Sequence, residues 1–180
     1  VVKIMELKLK PGHVIHTMEE EHERILGFLD ELEKINQRIQ EESKYNENNG
    51  DFEKLKNIAE HLVGAEPHHQ REEEVLFPEI EKRGVSCPPE VMRREHGELR
   101  PKKKEILELC RSLSKMDFQN FKKRLKETVD FLVSMLREHI AKENDILYPL
   151  ALEVIPEEVV WQKMKEECDK IGYCCFTPKI

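Results

Sequence analysis

Turn-forming residues are scarce: 7 glycines and 9 prolines in 180 residues, against 37% charged residues drawn largely from good helix formers. That balance excludes collagen-like and disordered classes. Cysteine is sparse and odd in number, and Cys87, Cys110, Cys168, Cys174 and Cys175 contain no C-x-x-C spacing. Neither a disulfide framework nor a zinc knuckle is suggested, so reduced thiols are expected, with the adjacent pair Cys174-Cys175 as the one redox alternative. No apolar run approaches the roughly 18 residues that span a bilayer, and Val1–Lys10 lacks the uninterrupted apolar core of a signal peptide. A soluble, cytoplasmic protein without a membrane partner is expected. An excess of basic residues is also missing, with 30 Lys and Arg against 37 Asp and Glu and a net charge of −7. Phosphate backbones are disfavoured, no nucleic-acid partner is expected, and the dense basic run Arg100-Pro101-Lys102-Lys103-Lys104 reads as a solvated helix face.

What is present is helical periodicity, in a length that suits one domain with its own core. Ile15, Met18, His22, Ile25, Leu29 and Leu32 recur in steps of three and four, and the pattern continues to about Ile39. A second helix is expected from near Asp51, its N-cap, through Leu55, Ile58 and Leu62 to Arg83-Gly84, with a kink at Pro67. Ser86-Cys87-Pro88-Pro89 opens a third through Met92, His96, Leu99, Ile106 and Leu113, with a second kink at Pro101. The fourth begins about Asp117, and its stripe reads Phe121, Leu125, Val129, Leu132, Leu136, His139, Glu143, Ile146 and Leu150. A short fifth helix is expected from Pro156 to about Lys170. The predicted fold is all-α: an antiparallel up-down-up-down four-helix bundle over residues 1–152, followed by a short C-terminal helix and tail over 153–180.

The chain repeats itself. The segment from His68 through Glu72 to Pro78 aligns without a gap on that from His139 through Glu143 to Pro149, and Glu21-His22 upstream of the first copy matches Glu95-His96 upstream of the second. Residues four apart share a helix face, so each His-x-x-x-Glu sets an imidazole beside a carboxylate. Facing hairpins would bring His22, His68, Glu72, His96, His139 and Glu143 together in the interior, where such groups are costly unless paired or bound to metal. The donors are nitrogen and oxygen without thiolate, which suits iron or manganese and tolerates zinc. Six residues are too many for one tetrahedral ion but suit two octahedral ones. With both glutamates bridging, the protein fills about eight of roughly twelve positions and an oxo or hydroxo bridge two more, leaving about one open position per metal. The Pro149 anchor selects His68 with Glu72 over His69 with Glu73, and places His69 some 100° around the helix, in an outer or surface role. His13, His16 and His61 stand outside the pattern. Phe77 and Tyr148 end the two motifs as packing residues, with Tyr148 a potential donor to a bound ligand.

These motifs, a His followed by His-x-x-x-Glu before Leu-Phe-Pro or Leu-Tyr-Pro, resemble the hemerythrin-like family across about residues 12–152. The resemblance implies a non-haem di-iron centre held by the same six residues, with O2 or NO as the small diatomic ligand. Oxygen-carrying members use five histidines where this pattern supplies four, so it is closer to relatives linked to nitric oxide, oxidative stress, iron sensing and iron–sulfur repair. Trp161 to Tyr173 resembles the segment that leads into a PAS sensor domain in multidomain members, which implies a signalling domain as partner, and Val1 in place of Met fits a fragment of such a protein as well as a stand-alone chain. A binding or sensing module is the leading expectation. An enzyme acting on NO, peroxide or iron–sulfur centres and a purely structural metal bundle are the alternatives.

Overall fold

The computed structural model describes residues 9–179, so Ile180 and the first eight residues, which make up most of the Val1–Lys10 stretch expected to be no signal peptide, lie outside the described residues. The expected stripes become buried helix faces. α1 (Val14–Glu41) buries Ile15, Met18, His22, Ile25, Leu29 and Leu32. Its N-cap is His13, whose Nδ1 accepts from the Ile15 amide at 3.2 Å. α2 (Gly50–Val63) is capped by Asn49 rather than Asp51, which instead pairs with Arg38. The single kinked helix expected up to Arg83 is interrupted earlier than Pro67. α2 ends at Val63, Gly64 and Ala65 form a turn, and α3 (Glu66–Arg71) restarts with Pro67 in its first turn, where a missing N–H leaves nothing unsatisfied. α4 (Phe77–Glu81) completes that arm.

α5 (Cys87–Ser112) continues as one helix through Pro101, the position at which a kink is expected. The carbonyl that Pro101 leaves without an intrahelical donor belongs to Gly97, and both residues are exposed, so water can serve it. α6 (Phe118–Lys142) starts as expected, with the Asp117 carboxylate accepting from the Asn120 amide at 2.8 Å. Asp117→Ala is expected to lower stability by about 1 kcal/mol, the usual worth of such a cap, read as a lower urea midpoint. α7 (Tyr148–Val154) and α8 (Glu158–Ile171) complete the helices.

Two five-residue π-turns, Glu72–Leu76 and Glu143–Leu147, occupy equivalent places in the two repeats. In each, an amide reaches five residues back, Phe77 to the Glu72 carbonyl and Tyr148 to that of Glu143. The next residue is Pro78 or Pro149, whose ring would meet a carbonyl four residues back in a regular helix, and the wider turn removes that conflict. The extra residue also rotates the helix on its C-terminal side. Ile146, expected in the core, is 56% exposed and Leu150 only half-buried, while Leu147, Tyr148 and Ala151 face inward.

Sequential arms pack side by side. α1 lies against α2 and α6, and α5 against the same two, which closes an antiparallel four-helix bundle with α8 packed on α1, α3 and the first π-turn. No strand occurs among the described residues, and no helix there is long and apolar enough to cross a membrane. The core is divided in two. One apolar cluster holds Ile25, Leu29, Leu99, Leu132 and Leu136, and the other holds Ile15, Met18, Met92, Leu147 and, from α8, Trp161 and Met164. The five cysteines are free. Burial pushes the Cys110 and Cys174 thiols up to about 12, which disfavours the reactive thiolate.

Candidate metal centre

Between the two apolar clusters lies one polar layer, because each arm carries polar residues where its stripe passes from one cluster to the other. His22 falls between Met18 and Ile25, His96 between Met92 and Leu99, His68 and Glu72 between Ala65 and Val75, and His139 and Glu143 between Leu136 and Leu147. All six are buried, at 2% exposure or less. The structure brings the six sequence-predicted site residues into one constellation.

The histidines meet in pairs. Nε2 of His22 lies 3.0 Å from Nε2 of His68, and Nε2 of His96 lies 3.1 Å from Nε2 of His139. Glu143 spans the pairs, with Oε2 at 3.1 Å from His22 and Oε1 at 2.9 Å from His139 and 3.7 Å from His96. Glu72 Oε2 is 3.5 Å from His68 and 3.4 Å from His96. These three carboxylate oxygens are buried and make no aligned hydrogen bond, despite their close nitrogens. Glu72 Oε1 accepts a 2.7 Å hydrogen bond from the Tyr148 hydroxyl, so Tyr148 reaches into the site besides packing on His22.

Each ring is fixed from outside through Nδ1, and sequence reasoning missed these partners. His68 meets Glu21 at 2.7 Å, His139 meets Glu95 at 2.8 Å, His96 meets Glu73 at 2.7 Å and His22 meets Asn144 at 2.7 Å. The arrangement obeys the repeat. The residue before the first His of each repeat holds the second His, and the residue after each glutamate holds the opposite repeat's first His. An acceptor at Nδ1 fixes the proton there and turns the Nε2 lone pair inward. The three carboxylates are themselves neutralised, Glu21 by the buried Arg71, Glu73 by Arg100 and Glu95 by Lys142.

The charges are mutually dependent. Burial opposes ionisation of His22, but Glu143 and Glu72 beside it raise its pKa. His96 goes further: against burial, Glu143, Glu72 and Glu73 raise it to about 11. Burial pushes Glu143 up, yet His139, His22 and His96 hold it well below the usual carboxylate range. Glu21 and Glu73 are both brought down to about 2 against burial, by His68 and Arg71 and by His96 and Arg100.

His69 is buried, not at the surface, and its ring stacks on His96 at 3.9 Å and 16°. Its donor nitrogen lies near those of His96 and His139, as a third potential ligand on that side. The stacking argues against that role. A ring nitrogen offers its lone pair in the ring plane, and two nearly parallel rings with centroids 3.9 Å apart direct their lone pairs to no common nearby point. The His22–His68 and His96–His139 rings, tilted by 47° and 64°, do not have this restriction. His69 instead receives Lys103, whose ammonium is 3.4 Å from His69 Nε2. Lys103 corrects the expectation of a solvated basic run: it is 3% exposed, two turns after His96 on the same face of α5. Of the remaining histidines, His13 caps α1, His16 lies beside Glu20, and His61 stacks on Phe28.

His22, His68, Glu72 and Glu143 can converge their donor atoms on one cation, and His96 and His139 lie directly beside them. The family model of the hemerythrin HHE cation-binding domain matches residues 13–151. Among curated proteins, none matches the chain. A buried His/Glu layer inside a helical bundle, with the family match over most of its length, makes the protein a metal-binding module, and the chain belongs to the hemerythrin HHE cation-binding domain family.

Proposed function

We propose that His22, His68, Glu72, His96, His139 and Glu143 hold two metal ions, iron foremost, and that the centre binds or senses a small diatomic ligand, O2 or NO. The observation that carries this reading is the pairing of the imidazoles around orphaned carboxylate oxygens. Two nitrogens about 2.1 Å from one ion and at right angles are about 3.0 Å apart, and the two pairs stand at 3.0 and 3.1 Å. Glu143 offers one oxygen to each pair and Glu72 lies between His68 and His96, so both suit bridging roles. The thiol-free donor set favours iron or manganese over a closed zinc site.

Iron supplies a redox couple and coordination positions that the protein leaves open. The chain's own part is to orient and to exclude. Glu21, Glu73, Glu95 and Asn144 lock the rings, the apolar clusters on either side keep bulk water out, and the Tyr148 hydroxyl holds Glu72 from the His22 side. The test is elemental analysis with an optical spectrum on protein purified without added metal, kept anaerobic, then exposed to air and to NO. About two irons per chain with new near-ultraviolet and visible bands on exposure are expected. Zinc alone, or a spectrum indifferent to both gases, contradicts the proposal.

A further inference from the structure

The family match ends at residue 151, yet the chain beyond it returns to the metal layer. After α8, Gly172 adopts φ 96°, a left-handed conformation that glycine takes without strain, and the chain turns back along α1 and α3. Tyr173 covers the Arg71 guanidinium at 4.6 Å, Cys174 is buried in the cluster that holds Leu29 and Leu132, and Phe176 meets Phe28 edge-on at 5.2 Å. The next residue, Thr177, donates its hydroxyl to Glu21 Oε1. Glu21 is fully buried, and it also meets the His68 ring at 2.7 Å, Arg71 at 2.6 Å and the Cys174 thiol. A continuous hydrogen-bonded chain therefore runs from the tail to a histidine of the site: Thr177, Glu21, His68.

We propose that Thr177 is a positioning residue for His68, acting through Glu21, and that docking of residues 173–177 and retention of metal by the His22–His68 pair form one linked equilibrium. The inference rests on the two-ion reading of the centre. Outer-shell partners of ligating histidines carry about 10- to 100-fold in metal affinity. Among the described residues, the partners of Glu21 from outside the bundle come from this tail: the Thr177 hydroxyl, which donates to it, and the Cys174 thiol beside it. Linkage is reciprocal: whatever the docked tail contributes to metal retention, bound metal returns to tail docking. Among the described residues the other pair has no such strap, and Glu95 is held by Lys142 from within α6.

The experiment uses the full chain loaded anaerobically with ferrous iron. Metal release to a chromogenic chelator is monitored for wild type, Thr177→Val and Thr177→Ser, and amide hydrogen exchange of residues 173–177 is compared with and without iron. Thr177→Val keeps the shape and removes the hydroxyl. It is expected to release about half of the iron about 10-fold faster at unchanged helix content, whereas Thr177→Ser stays near wild type. In the wild-type chain, iron is expected to slow exchange across the tail, a readout that needs no variant. Wild-type release kinetics in Thr177→Val, or tail exchange indifferent to iron, overturns the linkage while leaving the two-ion centre intact. A wild-type chain that retains no iron overturns both.

Discussion

If the proposed centre holds two ions, a chain carrying Glu143→Gln is expected to lose both together. The carboxylate oxygens face different histidine pairs, Oε2 towards His22 and Oε1 towards His139 and His96, so one substitution withdraws a negative ligand from both sides. Loss of an outer partner alone costs up to about 100-fold in affinity, and loss of a bridging ligand should exceed that. Two imidazoles also lose the group that favours their charged form, since Glu143 is among the causes that raise His22 and His96. Elemental analysis after equilibration with a competing chelator checks it: near-zero metal is expected for Glu143→Gln against about two ions for wild type. A variant that sheds one ion and keeps the other tightly would mean that Glu143 serves a single ion. The same charges set the pH response. In the metal-free chain His22 and His96 hold protons more tightly than a free imidazole does, so metal uptake must displace them and should weaken as the pH falls.

Lys103→Met is expected to stabilise the fold. Burial is the main cause that lowers the Lys103 amine from 10.5 to about 8, and His69 is its one side-chain hydrogen-bond partner among the described residues. A group whose folded pKa lies below its unfolded value costs stability wherever it must be charged in the folded state. The cost is full below about pH 8, shrinks through the interval above it, and vanishes beyond 10.5. Its size is about 3 kcal/mol, the order of the free-energy difference between an amine at 10.5 and one at about 8. Methionine fills a similar volume without charge, so urea denaturation at pH 7 should show a gain of that order that closes as the pH is raised towards 10.5. A loss of stability at pH 7 would show that the ammonium is better compensated than its contacts indicate.

The parts of the site legible in the sequence were those that obey helical period and repeat. His22, His68, His96 and His139 sit on apolar stripes, and the matched spacing from each His to Glu72 or Glu143 and on to Pro78 or Pro149 marks the two copies. The π-turns were not legible, because five residues of wider turn leave no trace in an apolar pattern read at 3.6 residues per turn. Ile146 was misplaced for that reason. Pro78 and Pro149 carried a signal, since a proline in a helix that continues demands some local adjustment. Glu21, Glu73, Glu95 and Asn144 were hidden by chemistry: a charged or amide residue on a helix reads as solvated unless its neighbours are known to be buried. Their positions, immediately beside His22, Glu72, His96 and Glu143, could have disclosed them once the repeat was found. Lys103 shows the converse, a basic run whose third lysine falls on the buried face two turns after His96. The docking of Cys174 and Thr177 obeys no period at all, because an irregular tail finds its place only once the bundle exists.

The proposed centre holds two ions between Glu72 and Glu143. The most direct test is anomalous scattering at the iron edge from crystals of the chain purified without added metal. Two peaks are predicted, one beside Nε2 of His22 and His68 and the other beside Nε2 of His96 and His139. A single peak, or iron bound away from these six side chains, would contradict the account.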